Sequence, residues 1–113
     1  MDFLSVFDQM RQHGDYHIIV GEDIKQKRIV VSGTLLIERK FIHQGLCVGH
    51  IEDIVVDEKH RKTGLGKVLI DLLLRIAVDN DCYKTILDCS DSNIPFYQKC
   101  GLKRSSNCMA IYM

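Results

Sequence analysis

The chain has 113 residues, and its 15 Lys plus Arg balance its 15 Asp plus Glu, so the formal net charge at pH 7 is zero. This length suits one domain, residues 1–113, with a core of its own, and the charge balance argues against a dedicated nucleic-acid binder. The most apolar stretch, "VLIDLLLRIAV", contains Asp71 and Arg75 and is too short to span a bilayer, and the beginning of the chain does not look like a signal peptide.

Cysteine and histidine usage indicates the compartment and the metal content. The five cysteines are an odd number and none forms a C-x-x-C pair, so we expect free thiols in a reducing, cytoplasmic setting. The five histidines show neither H-E-x-x-H nor Cys/His ligand spacing, so we expect no metal site.

In the first half of the chain, apolar strand-like segments alternate with short polar turns, the pattern of an antiparallel sheet. Residues 2–13 place Phe3, Val6, Phe7 and Met10 at helical spacing and predict a short amphipathic helix. Strands are predicted at 16–23, 29–40 and 46–56, with short polar turns between them. Three such strands in succession favour a meander.

The second half reads strand, loop, helix, strand, helix, strand. The long helix predicted from Leu65 carries one apolar face: Leu65, Val68, Leu69, Leu72, Leu73, Ile76 and Ala77. A second stripe of Ile70, Leu74 and Val78 is either covered within the protomer or a subunit contact. A strand at 83–90, a short helix at 92–100 and a final strand at 102–113 follow. A helix between two strands is typical of a parallel βαβ unit, so we predict an α/β (α+β) fold with a mixed sheet.

The stretch "RKTGLG" joins the third strand to the long helix. A helix begins with four unpartnered N–H groups and the positive end of its dipole, which together favour a phosphate or diphosphate. Gly64 and Gly66 would allow close approach, and Arg61, Lys62 and Lys67 add positive charge. The stretch fits neither Walker A nor the dinucleotide fingerprint, because Val68 follows Lys67 and Leu69 replaces the third glycine. A plain structural loop is the alternative.

The remaining pattern, R-x-x-G-x-G, resembles the acetyl-CoA diphosphate loop of the GNAT acetyltransferases. From about Ile37 to Leu102 the chain is similar to the eukaryotic glucosamine-6-phosphate N-acetyltransferases, through "GHIEDIVV", "CYKTILDC" and "FYQKCG". The resemblance implies acetyl transfer from acetyl-CoA to the 2-amino group of D-glucosamine 6-phosphate, on the route to UDP-N-acetylglucosamine. It also implies a GNAT fold with splayed parallel central strands and helices on both faces, lacking the family's N-terminal strand and helix.

Residue roles follow from the same resemblance. It assigns to Tyr97 the protonation of the departing thiolate, although a core tyrosine beside Phe96 is the alternative. Glu52 and Asp88 are candidates for positioning or deprotonating the amine, and no base can be chosen between them. Predicted coenzyme contacts are Glu52, Asp53, Ile54, Arg61, Lys62, Thr63, Gly64, Leu65, Gly66, Lys67, Asn93, Phe96, Tyr97 and Lys99. Predicted sugar contacts are Lys40, Phe41, Ile42, His43, Glu52, Asp53 and Asp88. The resemblance implies that Lys40 and His43 contact the sugar phosphate, and an exposed basic turn is the alternative for these two.

The strand that carries Glu52 and Asp53 raises a physical question of its own. Adjacent residues on a regular strand point to opposite faces, so one of these carboxylates is expected to face inward, at an energetic cost. The resemblance implies a bulge here whose backbone N–H groups bind the coenzyme.

The resemblance also implies a homodimer that exchanges its last strand, so that each sugar site contains residues of both chains. The apolar end "CMAIYM" would be a poor exposed edge, which agrees with an exchanged strand. Alternatives are a GNAT enzyme for another amine, such as a polyamine or a protein N-terminus, and a non-catalytic acetyl-CoA-binding module.

Overall fold

The computed structural model describes residues 2–113 and contains a four-stranded mixed sheet with three helices. The strands lie in the order β1-β2-β3-β4; the first three are antiparallel, and β4 runs parallel to β3. The predicted α/β class and the change from antiparallel to parallel pairing are confirmed. The elements are α1 (Phe3–His13), β1 (Tyr16–Asp23), β2 (Arg28–Arg39), β3 (Cys47–Val56), α2 (Leu65–Asp79), β4 (Cys82–Ile86) and α3 (Ile94–Lys99).

Local sequence signals explain the limits of α1. The Asp2 side chain accepts a hydrogen bond from the Ser5 N–H at 2.7 Å, which caps the start. Gly14 takes the left-handed conformation, with φ of 73°, and ends the helix. The helix packs on β1, but none of the helix residues is buried. No helix among the described residues is long and apolar enough to cross a membrane.

The core lies between α2 and the sheet. Leu69, Ile70, Leu73 and Ala77 are each at most 2% exposed, and they pack on β2, β3 and β4. The predicted buried face was therefore partly wrong: Val68 and Leu72 are 54% and 49% exposed, whereas Ile70 from the second stripe is fully buried. The helix is rotated relative to the prediction, although Leu69 and Leu73 of the predicted face do make its close contact with β2.

That close contact depends on Gly33 in the middle of β2. A Cβ at this position would lie 2.5 Å from Ile54 Cδ1 and 2.9 Å from a Leu69 methyl carbon. Only a residue without a side chain lets helix and strand approach so closely. The start of α2 and the part of β3 that forms the candidate site therefore both pack against Gly33.

The predicted final strand is absent from the protomer. Residues 102–113 have no regular secondary structure, and Met109, Ile111 and Tyr112 are 90%, 81% and 95% exposed. A strand needs a neighbour for its backbone hydrogen bonds, and within the described residues β4 pairs with β3 alone. The predicted strand at 102–113 is therefore not formed within one protomer, and its pairing with another subunit remains a prediction.

Candidate active site

The loop between β3 and α2 ends in an open helix start. Gly64, with φ of 87°, is the N-cap residue of α2, and within residues 2–113 no side chain caps this helix. The first N–H groups of α2 therefore remain available to an anion, as the sequence predicted.

Glycine is required at the two positions of this loop for different physical reasons. A Cβ at Gly64 would meet no described atom within 4 Å, so the requirement there is the left-handed backbone. A Cβ at Gly66 would lie 3.1 Å from the Phe96 ring. Gly66 is thus needed for α3 to pack on α2, and the close approach of an anion to Gly64 and Gly66 remains a prediction.

The basic residues of the loop are oriented by local contacts. Arg61 Nε donates to the Val56 carbonyl at 3.3 Å, and the Thr63 hydroxyl donates to the His60 carbonyl. Lys67 lies 2.9 Å from the Asp71 carboxylate, which raises the pKa of the lysine. Lys62 is exposed and has a left-handed backbone, with φ of 64°.

The middle of β3 contains a bulge. Thr34 of β2 pairs with Glu52, and Ser32 pairs with Val55, so that one residue of β2 faces two residues of β3. Asp53 takes a left-handed φ of 53°. A bulge interrupts the hydrogen-bond ladder and leaves backbone groups unpaired by the neighbouring strand. The expectation that Glu52 or Asp53 faces inward is wrong, because this extra residue breaks the alternation and both side chains are exposed.

Tyr97 faces the bulge from α3. Its ring makes an edge-on contact with Phe96, with centroids 5.0 Å apart. Burial raises the pKa of its hydroxyl, and the neighbouring Cys89 and Cys100 add to the rise. The phenol therefore stays protonated at neutral pH and is available as a proton donor.

A cavity of about 210 Å³ brings all three predicted catalytic residues, Glu52, Asp88 and Tyr97, together. Asp88 enters from the end of β4, Asn93 from the turn before α3, and the bulge closes the opposite side. Of the predicted contacts on α3, Asn93 and Tyr97 line the cavity, Phe96 packs on Gly66, and Lys99 is exposed. The lining residues are Ile51, Glu52, Asp53, Ile54, Leu87, Asp88, Cys89, Asn93 and Tyr97.

A role at the cavity was not predicted for two thiols, one that lines it and one that contacts a lining residue. Cys89 lines the cavity and is exposed, and the Cys108 thiol lies 3.6 Å from Asp88 Oδ2. The Asp88 carboxylate raises the pKa of Cys108. No spacing signal connects Cys108 with Asp88, so the sequence could not have shown this contact.

The predicted sugar contacts of residues 40–43 do not line this cavity. They follow Arg39, which pairs with Cys47, and Cys47 precedes Glu52 on β3 by five positions. Five positions on a strand span roughly 17 Å. Lys40 lies 3.2 Å from Glu38, and the His43 ring stacks on Tyr83 at 4.2 Å. Phe41 and Ile42 are exposed.

Residues 2–113 contain no group of three His, Cys, Asp or Glu side chains that could share a metal ion. The cavity offers a protonated phenol, the three carboxylates of Glu52, Asp53 and Asp88, the Cys89 thiol, the Asn93 amide and backbone N–H groups.

Comparison with known proteins identifies the family of the chain. The Acetyltransferase (GNAT) family matches residues 2–102. The Schizosaccharomyces pombe glucosamine 6-phosphate N-acetyltransferase is 45% identical over 94 residues, covering 82% of this chain and 84% of its own. The Dictyostelium discoideum glucosamine 6-phosphate N-acetyltransferase 1 is 43% identical over 113 residues, covering 98% and 71%.

Solved structures give the same result. The crystal structure of glucosamine-6-phosphate N-acetyltransferase from Arabidopsis thaliana superimposes with a TM-score of 0.93 at 40% identity, covering 97% of this chain and 76% of that one. A Trypanosoma brucei acetyltransferase superimposes with a TM-score of 0.90, also at 40% identity, covering 97% and 78%. The chain therefore belongs to the GNAT family of acetyltransferases.

Proposed function

We propose that the protein transfers the acetyl group of acetyl-CoA to the 2-amino group of D-glucosamine 6-phosphate. The observation that carries the proposal is the cavity in which Tyr97, Asp88 and the β3 bulge meet, next to the open start of α2. The relatives named above supply the substrate, because their names specify this sugar phosphate. The cytoplasmic location and the place on the route to UDP-N-acetylglucosamine remain predictions.

In the proposed complex, the N–H groups that open α2 bind the diphosphate of the coenzyme, with Arg61 and Lys62 nearby. The pantetheine arm follows β3 to the bulge, where backbone N–H groups of 52–54 can stabilise negative charge on the carbonyl oxygen. These positions fit the chain, because the bulge leaves backbone donors beside the cavity.

Acetyl transfer then requires two proton movements. The sugar amine attacks the carbonyl carbon, a C–N bond forms and the C–S bond breaks. Tyr97 gives its proton to the departing thiolate, and the new amide nitrogen loses a proton to Glu52 or Asp88, directly or through water. Both carboxylates line the cavity, so either can also orient the amine.

A thiol-release assay with acetyl-CoA and a panel of amines tests this function. We expect the fastest release with glucosamine 6-phosphate and slower release with glucosamine, spermidine or a peptide N-terminus. Preference for spermidine or the peptide would favour a GNAT enzyme for another amine. Coenzyme binding without release for any amine would favour a non-catalytic module.

We propose in addition a homodimer in which residues 102–113 pair with the other subunit. The exposed apolar end of the chain and the single neighbour of β4 support an exchanged strand. The separation of residues 40–43 from the cavity supports a sugar site with residues of both subunits.

A chain that ends at Arg104 should be monomeric, because the truncation removes the exchanged segment. Analytical ultracentrifugation at micromolar concentration would show dimers for residues 1–113 and monomers for residues 1–104. A variant that lacks only Met113 is the matched control and should stay dimeric. Dimers of the truncated chain would place the interface elsewhere, and a monomeric full chain would reject the dimer.

Lys40→Ala should raise KM for glucosamine 6-phosphate by roughly tenfold, because a lysine to phosphate hydrogen bond is worth about 1.5–3 kcal/mol. Activity on unphosphorylated glucosamine should stay nearly unchanged. Lys25→Ala, in the exposed β1–β2 turn, is the control. Equal losses for both sugars would mean that Lys40 does not bind the phosphate.

A further inference from the structure

His60 stands between the β1–β2 hairpin and the coenzyme loop, Arg61 to Gly66. Its Nδ1 lies 3.0 Å from Asp57 Oδ2, and its Nε2 lies 3.4 Å from Asp23 Oδ2. Asp57 follows β3, whereas Asp23 ends β1. One imidazole ring therefore connects the segment that leads into the coenzyme loop to a hairpin turn 37 residues earlier.

The two carboxylates are fixed by other partners. Asp57 accepts a hydrogen bond from Arg28 at 2.7 Å, and its second oxygen also accepts a backbone N–H at 3.2 Å. Asp23 accepts two backbone N–H groups of the hairpin turn, at 3.0 and 3.1 Å. The ring thus lies between acceptors whose positions do not depend on it alone.

Both contacts require a protonated ring. A carboxylate only accepts hydrogen bonds, and a neutral imidazole has one donor nitrogen and one acceptor nitrogen. Only the imidazolium can donate to Asp57 and Asp23 together. In agreement, the pKa of His60 is raised, chiefly by the hydrogen bond to Asp57 and further by Asp23, and the pKa of Asp57 is lowered, chiefly by His60.

The backbone of His60 continues this connection into the coenzyme loop. Its N–H donates to the Asp57 carbonyl at 2.9 Å, and its carbonyl accepts the Thr63 hydroxyl, one residue before the N-cap Gly64. We propose that His60 is a positioning residue for the coenzyme, which in its protonated form holds the coenzyme loop against the β1–β2 hairpin in the shape that receives the diphosphate. This inference rests on the acetyl-CoA site proposed above.

The direction of the pH dependence follows from the raised pKa. Both contacts are complete below the ordinary histidine pKa of about 6.5 and are lost as pH rises through the higher pKa of the folded protein. The charged groups around the ring come from each element near it: Asp23 from β1, Arg28 from β2, and Asp57, Glu58, Lys59 and Arg61 from the segment that contains it.

Calorimetric titration with dephospho-CoA between pH 5.5 and 9 tests the inference. This ligand keeps the diphosphate and lacks the 3′-phosphate, whose own titration near pH 6 would interfere. We expect wild-type affinity to fall roughly fivefold or more as His60 loses its proton, a typical coupling between two sites. His60→Gln should bind weakly throughout, without this step. His13→Gln, at the exposed end of α1, should behave as wild type.

Asp23→Asn gives a second measurement. The amide oxygen can still accept the turn N–H groups, but the charge beside Nε2 is removed, so the affinity step should move to lower pH. The kcat of His60→Gln at saturating acetyl-CoA should stay within about twofold of wild type, because Tyr97 is unaffected.

The possible outcomes distinguish a failure of this inference from a failure of the proposed function. Equal binding of dephospho-CoA by the wild type at every pH would reject the role of His60 without affecting the proposed function. An affinity step that persists in His60→Gln, or that does not move in Asp23→Asn, would do the same. Failure of wild type to bind at any pH rejects the coenzyme site itself. If His60→Gln does not fold, NMR titration of the wild-type ring decides, and a pKa at or below the ordinary value rejects the inference.

Discussion

Tyr97→Phe should lower kcat for acetyl transfer by roughly 10²–10⁴, the usual contribution of a positioned acid. The change removes the proton donor for the thiolate and keeps the ring that contacts Phe96. Binding of acetyl-CoA should change little. Stopped-flow or steady-state thiol release at saturating substrates measures the effect.

Tyr16→Phe, on β1, is the matched control for this substitution. It removes a phenol hydroxyl outside the cavity and should leave kcat within about twofold of wild type. An unchanged rate for Tyr97→Phe would remove the tyrosine from the mechanism. A loss that coincides with a lower melting temperature would indicate a packing role instead.

Gly64→Val should abolish most coenzyme affinity while the fold persists. A left-handed backbone costs a non-glycine residue roughly 1–2 kcal/mol, and a branched side chain suffers more. A valine at Gly64 should therefore pull the helix start out of its conformation and turn the N–H groups away from the diphosphate. We expect acetyl-CoA to bind at least tenfold more weakly, measured by calorimetry.

Gly14→Val offers an unusually close control. Gly14 also has a positive φ, 73°, and a Cβ there would likewise meet no described atom within 4 Å. The two variants should lose similar stability in denaturant titrations, and only Gly64→Val should lose coenzyme affinity. Equal affinity losses in both variants would point to general destabilisation.

The order of the elements was readable from the sequence because local signals set it. Predicted and observed bounds of β1 coincide at 16–23, since an extended apolar run is followed there by the polar turn "IKQKR". The rotation of α2 was not readable, because it depends on Gly33 of β2, a contact across the core. The predicted final strand is not formed in the protomer, because residues 102–113 find no neighbouring strand within the described part of the chain.

The candidate site was likewise predictable from the sequence only in part. "RKTGLG" stood out because it combines glycines and basic residues with the start of a helix, whereas Tyr97 was assigned only through the resemblance to the family. The inward carboxylate was wrong because one left-handed residue, Asp53, removes the alternation on which the prediction depended. His60 gave no signal, since its second partner, Asp23, lies 37 residues earlier and meets it only after the hairpin folds onto the loop.

The bare backbone at Gly33 connects the two ends of the proposed coenzyme groove. Ile54 beside the bulge and Leu69 near the start of α2 both pack on this one point. We therefore expect any side chain at position 33 to displace the proposed thioester end relative to the proposed diphosphate end, because its Cβ would lie 2.5 Å from Ile54 and 2.9 Å from Leu69.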